Sequence, residues 1–268
     1  RDFCLSRGLG DVYKRQIIST SHLDYSIDTC VDYTNEIQDR VAVWDRLKNS
    51  VKENSRFFTN MDEFAQYEYL TAGKSLHIGQ KLYRSRVTPI GQKKIKWDKM
   101  GCPPKELTTA GRANPIGIPY LYLSDSAKTT YFEVRAVYLD KLSVGTFRIE
   151  KDLKLIDFVY DVNLFLSYND GSVPLKETII KKKVIEAISS DLSKPLRRYD
   201  SEIEYVPTQL ICEYCRRIVD SEGATADGIT FESSLHKGGR NYVLFDESAA
   251  KCIRVDSHEI TRIDIDRK

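Results

Sequence analysis

One glutamate in an apolar segment is the residue best suited to chemistry in this sequence. Glu133 lies in AKTTYFEVRAVYL, a predicted helix that is apolar nearly all round, so we expect its carboxylate to be buried. Its neighbours one turn away carry no charge, and Arg135 is predicted to point away from it. Because an unpaired buried charge is costly, the partner must come from elsewhere in the fold or from a ligand. The alternative is a glutamate on an exposed strip or in a structural ion pair.

Two arginines form a second candidate group. The segment KLYRSRV at 81–87 alternates as a strand, which puts Arg84 and Arg86 on one face with Leu82. A guanidinium binds a carboxylate or phosphate through two parallel hydrogen bonds, so this face suits an anion site. An edge strand with a charged outer face would show the same pattern.

A loop and the strand after it add polar donors and aromatic rings. In GRANPIGIPYLYLS, at 111–124, the glycines and prolines predict a tight loop whose backbone can approach a ligand, with Arg112 and Asn114 as donors beside it. Tyr120 and Tyr122 share one face of the following strand and could stack on a planar ring. Turns of this kind are common, so the segment alone is weak evidence.

A serine ends an apolar strand face further along the chain. In DGITFESS, alternation places Ser233 on the same side as Ile229 and Phe231. No GxSxG motif surrounds it and no histidine has an evident sequence relation to it, which disfavours a hydrolase triad. We expect Ser233 to orient a ligand; the alternative is a strand that simply reaches water.

The elements that must position these residues alternate without a regular strand–helix–strand rhythm. Helices are predicted over 35–58, 127–139 with Ser126 as N-cap, 175–192 and 207–219. Strands are predicted over 81–87 and 118–124 and over GITFES, NYVLF, CIRV and ITRIDI, and VGTFRI with LKLIDFV is predicted to form a hairpin. The pattern favours an α+β fold with a mixed or antiparallel sheet and flanking helices, preceded by a small helical N-terminal segment.

The predicted N-terminal helix has one apolar stripe, formed by Ile37, Val41, Trp44, Leu47 and Val51. Before it, residues 1–16 show neither the helical nor the strand periodicity of apolar residues, and they resemble a translated cloning adaptor. We therefore expect them to be non-native and the native start to be missing. We therefore divide the chain into this segment, a helical segment over 17–75 and a catalytic domain over 76–268.

Composition excludes several classes of protein. The 268 residues carry 41 Lys+Arg and 39 Asp+Glu, a net charge of +2, which gives no overall field for nucleic acid or membranes. The lysines at 93–96 and 181–183 lack interleaved aromatic residues and are expected to be solvated, so no direct nucleic acid binding is predicted. No apolar window is long enough to span a membrane, and we expect a cytoplasmic protein.

Cys212 and Cys215 form a CxxC, but we favour two core thiols on one helix face over a metal site.

Five of these segments in order resemble one known family. LYRSRV, GRANPIGIPYLYLS, TTYFEVRA, PTQLICEY and DGITFESSLHKGGRNYVLF follow one another between residues 81 and 245, and together they resemble the RES-domain family. The family's arginine, tyrosine, glutamate and serine then correspond to Arg84, Tyr122, Glu133 and Ser233, with Ser234 as an alternative for the serine. Arg112 and Asn114 match the family's loop, although Ala113 stands where many members carry an aromatic residue.

This resemblance implies a fold similar to ADP-ribosyltransferase toxins and an activity on NAD+. RES proteins split the nicotinamide–ribose bond, in the best-understood members with inorganic phosphate as acceptor, giving ADP-ribose 1″-phosphate, and many are toxins with a protein antitoxin as partner. NAD+ and phosphate would then be substrates, with no bound cofactor or metal, and self-association is left open. Transfer of ADP-ribose to protein or water is the nearest alternative, and a non-catalytic NAD+ or ADP-ribose binding module is the alternative of another class.

The resemblance also implies a role for each residue. Glu133 would hold the ribose hydroxyls and stabilise the developing cation, and Arg84 would bind phosphate or the diphosphate. Tyr122 would fix the nicotinamide–ribose end of the substrate. Ser233 would orient an acceptor oxygen.

Overall fold

The computed structural model describes residues 32–66, 70, 72–159, 161–162, 174–194, 202–219 and 223–262. The chain divides into two compact units, residues 1–39 and residues 40–268. The proposed adaptor segment over 1–16 lies outside the described residues. The boundary proposed between residues 75 and 76 stays a prediction.

Three helices precede the sheet: α1 (Asn35–Val41), α2 (Val43–Glu53) and α3 (Asp62–Gln66). The single helix predicted over 35–58 is therefore interrupted at Ala42 and ends before Asn54. The predicted apolar stripe is confirmed in α2, where Trp44, Leu47 and Val51 are buried. This face of α2 packs on two later helices, α5 (Leu175–Ser193) and α6 (Val206–Cys215).

The centre of the fold is a mixed eight-stranded sheet in the described residues, which confirms the predicted α+β class. Its strands are β1 (Ala72–Leu76), β2 (Lys81–Val87), β3 (Leu121–Ser124), β4 (Lys141–Ile149), β5 (Leu153–Asp157), β6 (Gly228–Glu232), β7 (Arg240–Leu244) and β8 (Ala250–Glu259). They lie in the order β1-β5-β6-β7-β3-β2-β4-β8, and all neighbours are antiparallel except β5 and β6. The predicted bounds of β2 are confirmed, whereas ITRIDI forms no strand in its described part, residues 260–262.

The predicted hairpin of β4 and β5 is wrong. Three residues join these strands, yet β4 pairs with β2 and β8 while β5 pairs with β1 and β6. The chain crosses from one half of the sheet to the other between Ile149 and Leu153. A short connection allows a hairpin but does not require it, because each strand here has two other partners along its edges.

The two halves of the sheet meet at β2 and β3, and this junction is narrow. β2 pairs with β4 over seven positions but with β3 at one, Tyr83 with Ser124. Helix α4 (Ala127–Glu133) packs on both β2 and β3, and a hydrogen bond between Ser85 and Thr130 joins it to β2. Side chains can therefore converge on the space beside this junction.

Helix α4 is shorter than predicted. Ser126 is its N-cap, with Oγ accepting from the amide of Thr129 at 3.1 Å, as predicted. The helix ends at Glu133 because the backbone turns left-handed at Arg135, where φ is 51°. The prediction that the segment 127–139 is buried on several sides is wrong, because four of its apolar residues are exposed: Phe132, Val137, Tyr138 and Leu139.

The remaining helices follow the sequence pattern more closely. α5 buries one side on the sheet, including Ile180, Val184 and Ile188, and α6 begins with Pro207 in its first turn. Cys212 and Cys215 are fully buried on α6, as the core interpretation predicts, and burial raises the pKa of both thiols. Within the described ranges, no helix combines the length and apolar character needed to cross a membrane.

Candidate active site

A cavity of about 660 Å³ opens where β2, β3 and α4 meet the loop that precedes β3. This volume lies in the range of about 300–1,000 Å³ found for sites that bind small molecules. The described residues that line it include four with charged side chains: Arg84, Arg112, Glu133 and Arg135. Three cations against one anion make the cavity suited to a ligand with negative charge.

Glu133 lies at the C-terminal end of α4 and is half-buried, not fully buried as expected. Its Oε1 accepts hydrogen bonds from Ser233 Oγ and Asn241 Nδ2, each at 2.7 Å. Among the described residues no donor bonds to Oε2. One carboxylate oxygen is thus held by the protein, and the other keeps its lone pairs for a ligand.

Ser233 follows β6 and is buried. Its hydroxyl donates its one proton to Glu133 and accepts from the amide of His236 at 3.1 Å. The predicted role in orienting a ligand is therefore not what these contacts provide, because the serine orients the carboxylate instead. Ser233 does not itself line the cavity that Arg84 and Glu133 share, but lines a second cavity together with the exposed Ser234, and it reaches the site through its hydrogen bond to Glu133.

Asn241 in β7 is a member of the site that sequence reasoning missed. Its Nδ2 donates to Glu133, while its Oδ1 accepts from Ser124 Oγ at 2.7 Å, which fixes the orientation of the amide. The side chain is only 6% exposed. An asparagine inside the apolar run NYVLF was the available signal, because a buried amide needs partners for its donors and acceptor.

Arg84 lines the cavity and has a guanidinium nitrogen without a partner. Nη1 is buried and makes no hydrogen bond in the described part of the chain. Burial first, and then the positive charge of Arg86, lower the pKa of Arg84. The nearby Cys102 supplies no counter-charge, because burial and Glu247 raise the pKa of its thiol to about 11. Glu247 supplies some counter-charge to Arg84, but the buried Nη1 has no hydrogen-bond partner among the described residues and would be satisfied by an incoming anion.

Arg86 does not line this cavity, although it shares a strand face with Arg84. Its Nη2 donates to the carbonyl oxygen of Gly101 at 2.6 Å. The contact ties the strand to the segment that carries Cys102. The predicted substrate contact is replaced by one within the protein.

Tyr122 and Asn114 line the cavity, but their polar atoms hold the loop. The Tyr122 hydroxyl donates to Asn114 Oδ1 at 2.8 Å and accepts from the amide of Ala113 at 3.0 Å. Asn114 Nδ2 donates to the carbonyls of Thr109 and Pro115. Burial raises the pKa of Tyr122. Tyr122 thus lines the cavity, while its hydroxyl stabilises the wall.

Arg112 and Tyr120 also line the cavity with contacts of their own. Arg112 Nη1 donates to the carbonyls of Leu192 and Ser193, at the end of α5, where a cation also meets the negative pole of the helix. The guanidinium of Arg216 lies 5.6 Å from the centroid of the Tyr120 ring, and burial raises the pKa of this tyrosine.

Arg135 is the second residue that sequence reasoning missed. In a continuing helix it would point away from Glu133, but the end of the helix turns the chain so that Arg135 lines the same cavity. Nothing in the sequence marks this end, since neither glycine nor asparagine follows Glu133.

In the described residues, no group of three or more His, Cys, Asp or Glu side chains is arranged to hold a metal ion. No curated protein and no solved structure matches the chain. The sequence model of the RES domain family matches residues 82–265, well over half of the chain. This range contains all four charged residues of the cavity and both residues that hold Glu133. The chain therefore belongs to the RES-domain family, and with it to proteins of NAD-related function.

Proposed function

We propose that the protein cleaves the nicotinamide–ribose bond of NAD+ with inorganic phosphate as acceptor, giving ADP-ribose 1″-phosphate and nicotinamide. The observation that carries this proposal is a pair of groups in one cavity. Glu133 has one oxygen held by two donors and the other without a described donor, and Arg84 has a buried nitrogen without a partner. Action as a toxin with a protein antitoxin as partner is proposed from family membership alone.

One carboxylate suffices for this reaction. When the carbon–nitrogen bond breaks, its electron pair goes to the pyridinium nitrogen, so nicotinamide leaves as a neutral molecule. A glycosidase needs a second carboxyl group to protonate a poor alkoxide leaving group, and this leaving group needs none. The positive charge that develops on the ribose is stabilised by the oriented Glu133 carboxylate.

Phosphate completes the reaction by attack on the anomeric carbon. An oxygen of HPO₄²⁻ donates the electron pair that forms the new carbon–oxygen bond, and the product keeps the proton that phosphate brought. The step therefore balances without proton transfer by the protein. Arg84 would bind an anionic oxygen of phosphate or of the dinucleotide through Nη1. Ser233 and Asn241 act by orienting Glu133.

The acceptor is tested by incubating the protein with NAD+ in buffers with and without phosphate and measuring product masses. Phosphorolysis requires ADP-ribose 1″-phosphate when phosphate is present. ADP-ribose in both buffers would establish hydrolysis instead, and a mass increase of the protein would establish transfer to protein. NAD+ binding without nicotinamide release would reduce the protein to a binding module.

Glu133→Gln tests the carboxylate. The amide oxygen of glutamine can still accept from Ser233 and Asn241, so the variant should fold while the negative charge is lost. We expect nicotinamide release to fall by about 10³-fold or more, with an unchanged melting temperature. Normal NAD+ consumption by a folded variant would remove Glu133 from the reaction.

A further inference from the structure

The left-handed backbone at Arg135 brings an arginine into the cavity. After α4, the amides of Arg135 and Ala136 donate to the carbonyls of Phe132 and Tyr131, which closes the helix. The residue that follows such a helix end takes a positive φ, and glycine or asparagine usually stands there because other side chains are disfavoured. Here φ is 51° and the residue is arginine, whose exposed side chain lines the wall beside Glu133.

A positive φ alone does not indicate function. Leu139 has φ of 70°, and it does not line the cavity. Arg135 differs because the unfavourable conformation carries a cationic side chain into a site that already holds Arg84 and Glu133. Unfavourable backbone conformations are retained where the side chain they present is used.

The position of Arg135 relative to Glu133 indicates which part of a ligand it would meet. Glu133 is proposed to hold the ribose next to the reacting bond, and the diphosphate of NAD+ begins at the 5′ carbon of that ribose. Arg135 is two residues further along the chain, after the helix end. Its side chain is exposed, whereas that of Arg84 is half-buried. The cavity therefore has one cation set back in its wall and another open to solvent.

We infer that Arg135 binds the diphosphate of the dinucleotide and so selects NAD+ over nicotinamide ribosides that lack phosphate. This inference rests on the proposed function and goes beyond it, because it names a specificity residue outside the family's four matched positions. Arg84 is then left for the anion set back in the cavity.

Arg135→Gly gives an unusually clean test. Glycine tolerates positive φ, so the variant removes the guanidinium while relieving the backbone, and its melting temperature is measured to establish that it is folded. Loss of a charge-assisted hydrogen bond should raise the KM for NAD+ by about 10- to 100-fold, with kcat within about threefold. The KM for nicotinamide riboside should not change.

Two further variants separate charge from backbone. Arg135→Asn also suits the left-handed backbone but carries no charge, and it should behave as Arg135→Gly does. Arg135→Lys keeps the charge and should recover part of the NAD+ affinity. An unchanged KM for NAD+ in Arg135→Gly, or an equal rise for both substrates, would overturn the inference.

Titration with ADP, which carries a diphosphate but no reacting bond, distinguishes this inference from the proposed function. If the wild type does not consume NAD+ but binds ADP, and Arg135→Gly binds it at least about 10-fold more weakly, the inference stands and the enzymatic proposal fails. If the wild type consumes NAD+ and Arg135→Gly binds ADP equally well, only the inference fails. If the wild type neither consumes NAD+ nor binds ADP, both fail.

Discussion

Glu133 receives its hydrogen bonds from Ser233 and Asn241, which lie 100 and 108 residues further along the chain. Both donors meet Oε1, so the carboxylate has a defined orientation even though it is only half-buried. Each donor is itself oriented, Ser233 by the His236 amide and Asn241 by the Ser124 hydroxyl. The carboxylate is thus positioned for a ligand before a ligand arrives.

Asn241→Asp should disable the site more severely than Asn241→Ala. Alanine removes one donor, whereas aspartate keeps the shape and places a like charge against Glu133 at a contact that is now 2.7 Å long. We expect kcat to fall by about 10- to 100-fold for alanine and further for aspartate at neutral pH.

The pH profile provides the control for this substitution. Repulsion by Glu133 raises the pKa of the new carboxyl group, which takes up a proton as pH falls and can then donate as asparagine does. The activity of Asn241→Asp relative to wild type should therefore rise toward acidic pH. A constant ratio across the pH range would show that Asn241 does not act through Glu133.

At the scale of elements, one wall of the cavity is a loop whose backbone carbonyl groups accept hydrogen bonds from helix α6. From α6, Thr208 Oγ1 donates to the carbonyl of Arg112, and Gln209 Nε2 donates to the carbonyls of Gly111 and Asn114. These bonds satisfy backbone groups that no strand or helix pairs. The hydrogen bond between Tyr122 and Asn114 then joins the loop to β3.

Gly111→Ala should disrupt this wall. A Cβ at Gly111 would lie 2.4 Å from Asn114 Oδ1 and 2.9 Å from the Tyr122 hydroxyl, two atoms that are bonded to each other. We expect a loss of about 1–3 kcal/mol in the free energy of unfolding, together with a lower kcat for NAD+.

Gly117→Ala is the matched control in the same loop. Its new methyl group would meet no atom within 4 Å, although the positive φ of 78° penalises the folded state. This variant should lose stability but keep its activity once folded. Equal activity in the two variants would mean that the contact of Tyr122 with Asn114 does not shape the site.

At the scale of the whole molecule, the family match begins at residue 82, but the packed unit begins earlier. Trp44 of α2 is 1% exposed, and its Nε1 donates to Asp191 of α5 at 2.7 Å. Lys52 pairs with Glu204 just before α6. Because exposed ion pairs contribute little to stability, burial of the apolar face accounts for most of the free energy that holds α2 against α5 and α6. Helix α2 therefore supports the two helices that back the cavity loop.

Trp44→Ala should cost about 3–5 kcal/mol of unfolding free energy, as measured by denaturant titration, because it leaves a large cavity and removes the hydrogen bond to Asp191, which keeps its ion pair with Lys48. Trp97, the second tryptophan, is 59% exposed, and Trp97→Ala should be nearly neutral. Equal midpoints of denaturant unfolding for the two variants would show that α2 is not part of the stable unit.

Local patterns in the sequence were enough to predict the elements that are defined by one buried face or by an N-cap residue. The alternation of 81–87, the Ser126 cap and the apolar stripe of α2 all predicted what the structure contains, since periodicity reports which face is buried. The ordered motifs also singled out Arg84 and Glu133, and the structure places both residues on one cavity.

Only the tertiary structure decided which distant residues meet. The partners of β4 and β5, the two donors to Glu133 and the entry of Arg135 into the cavity depend on contacts between segments far apart in sequence. The end of α4 at Glu133 likewise has no local cause in composition, because arginine rather than glycine takes the left-handed position. Such features are set by the free energy of the whole packed chain, which no single segment contains.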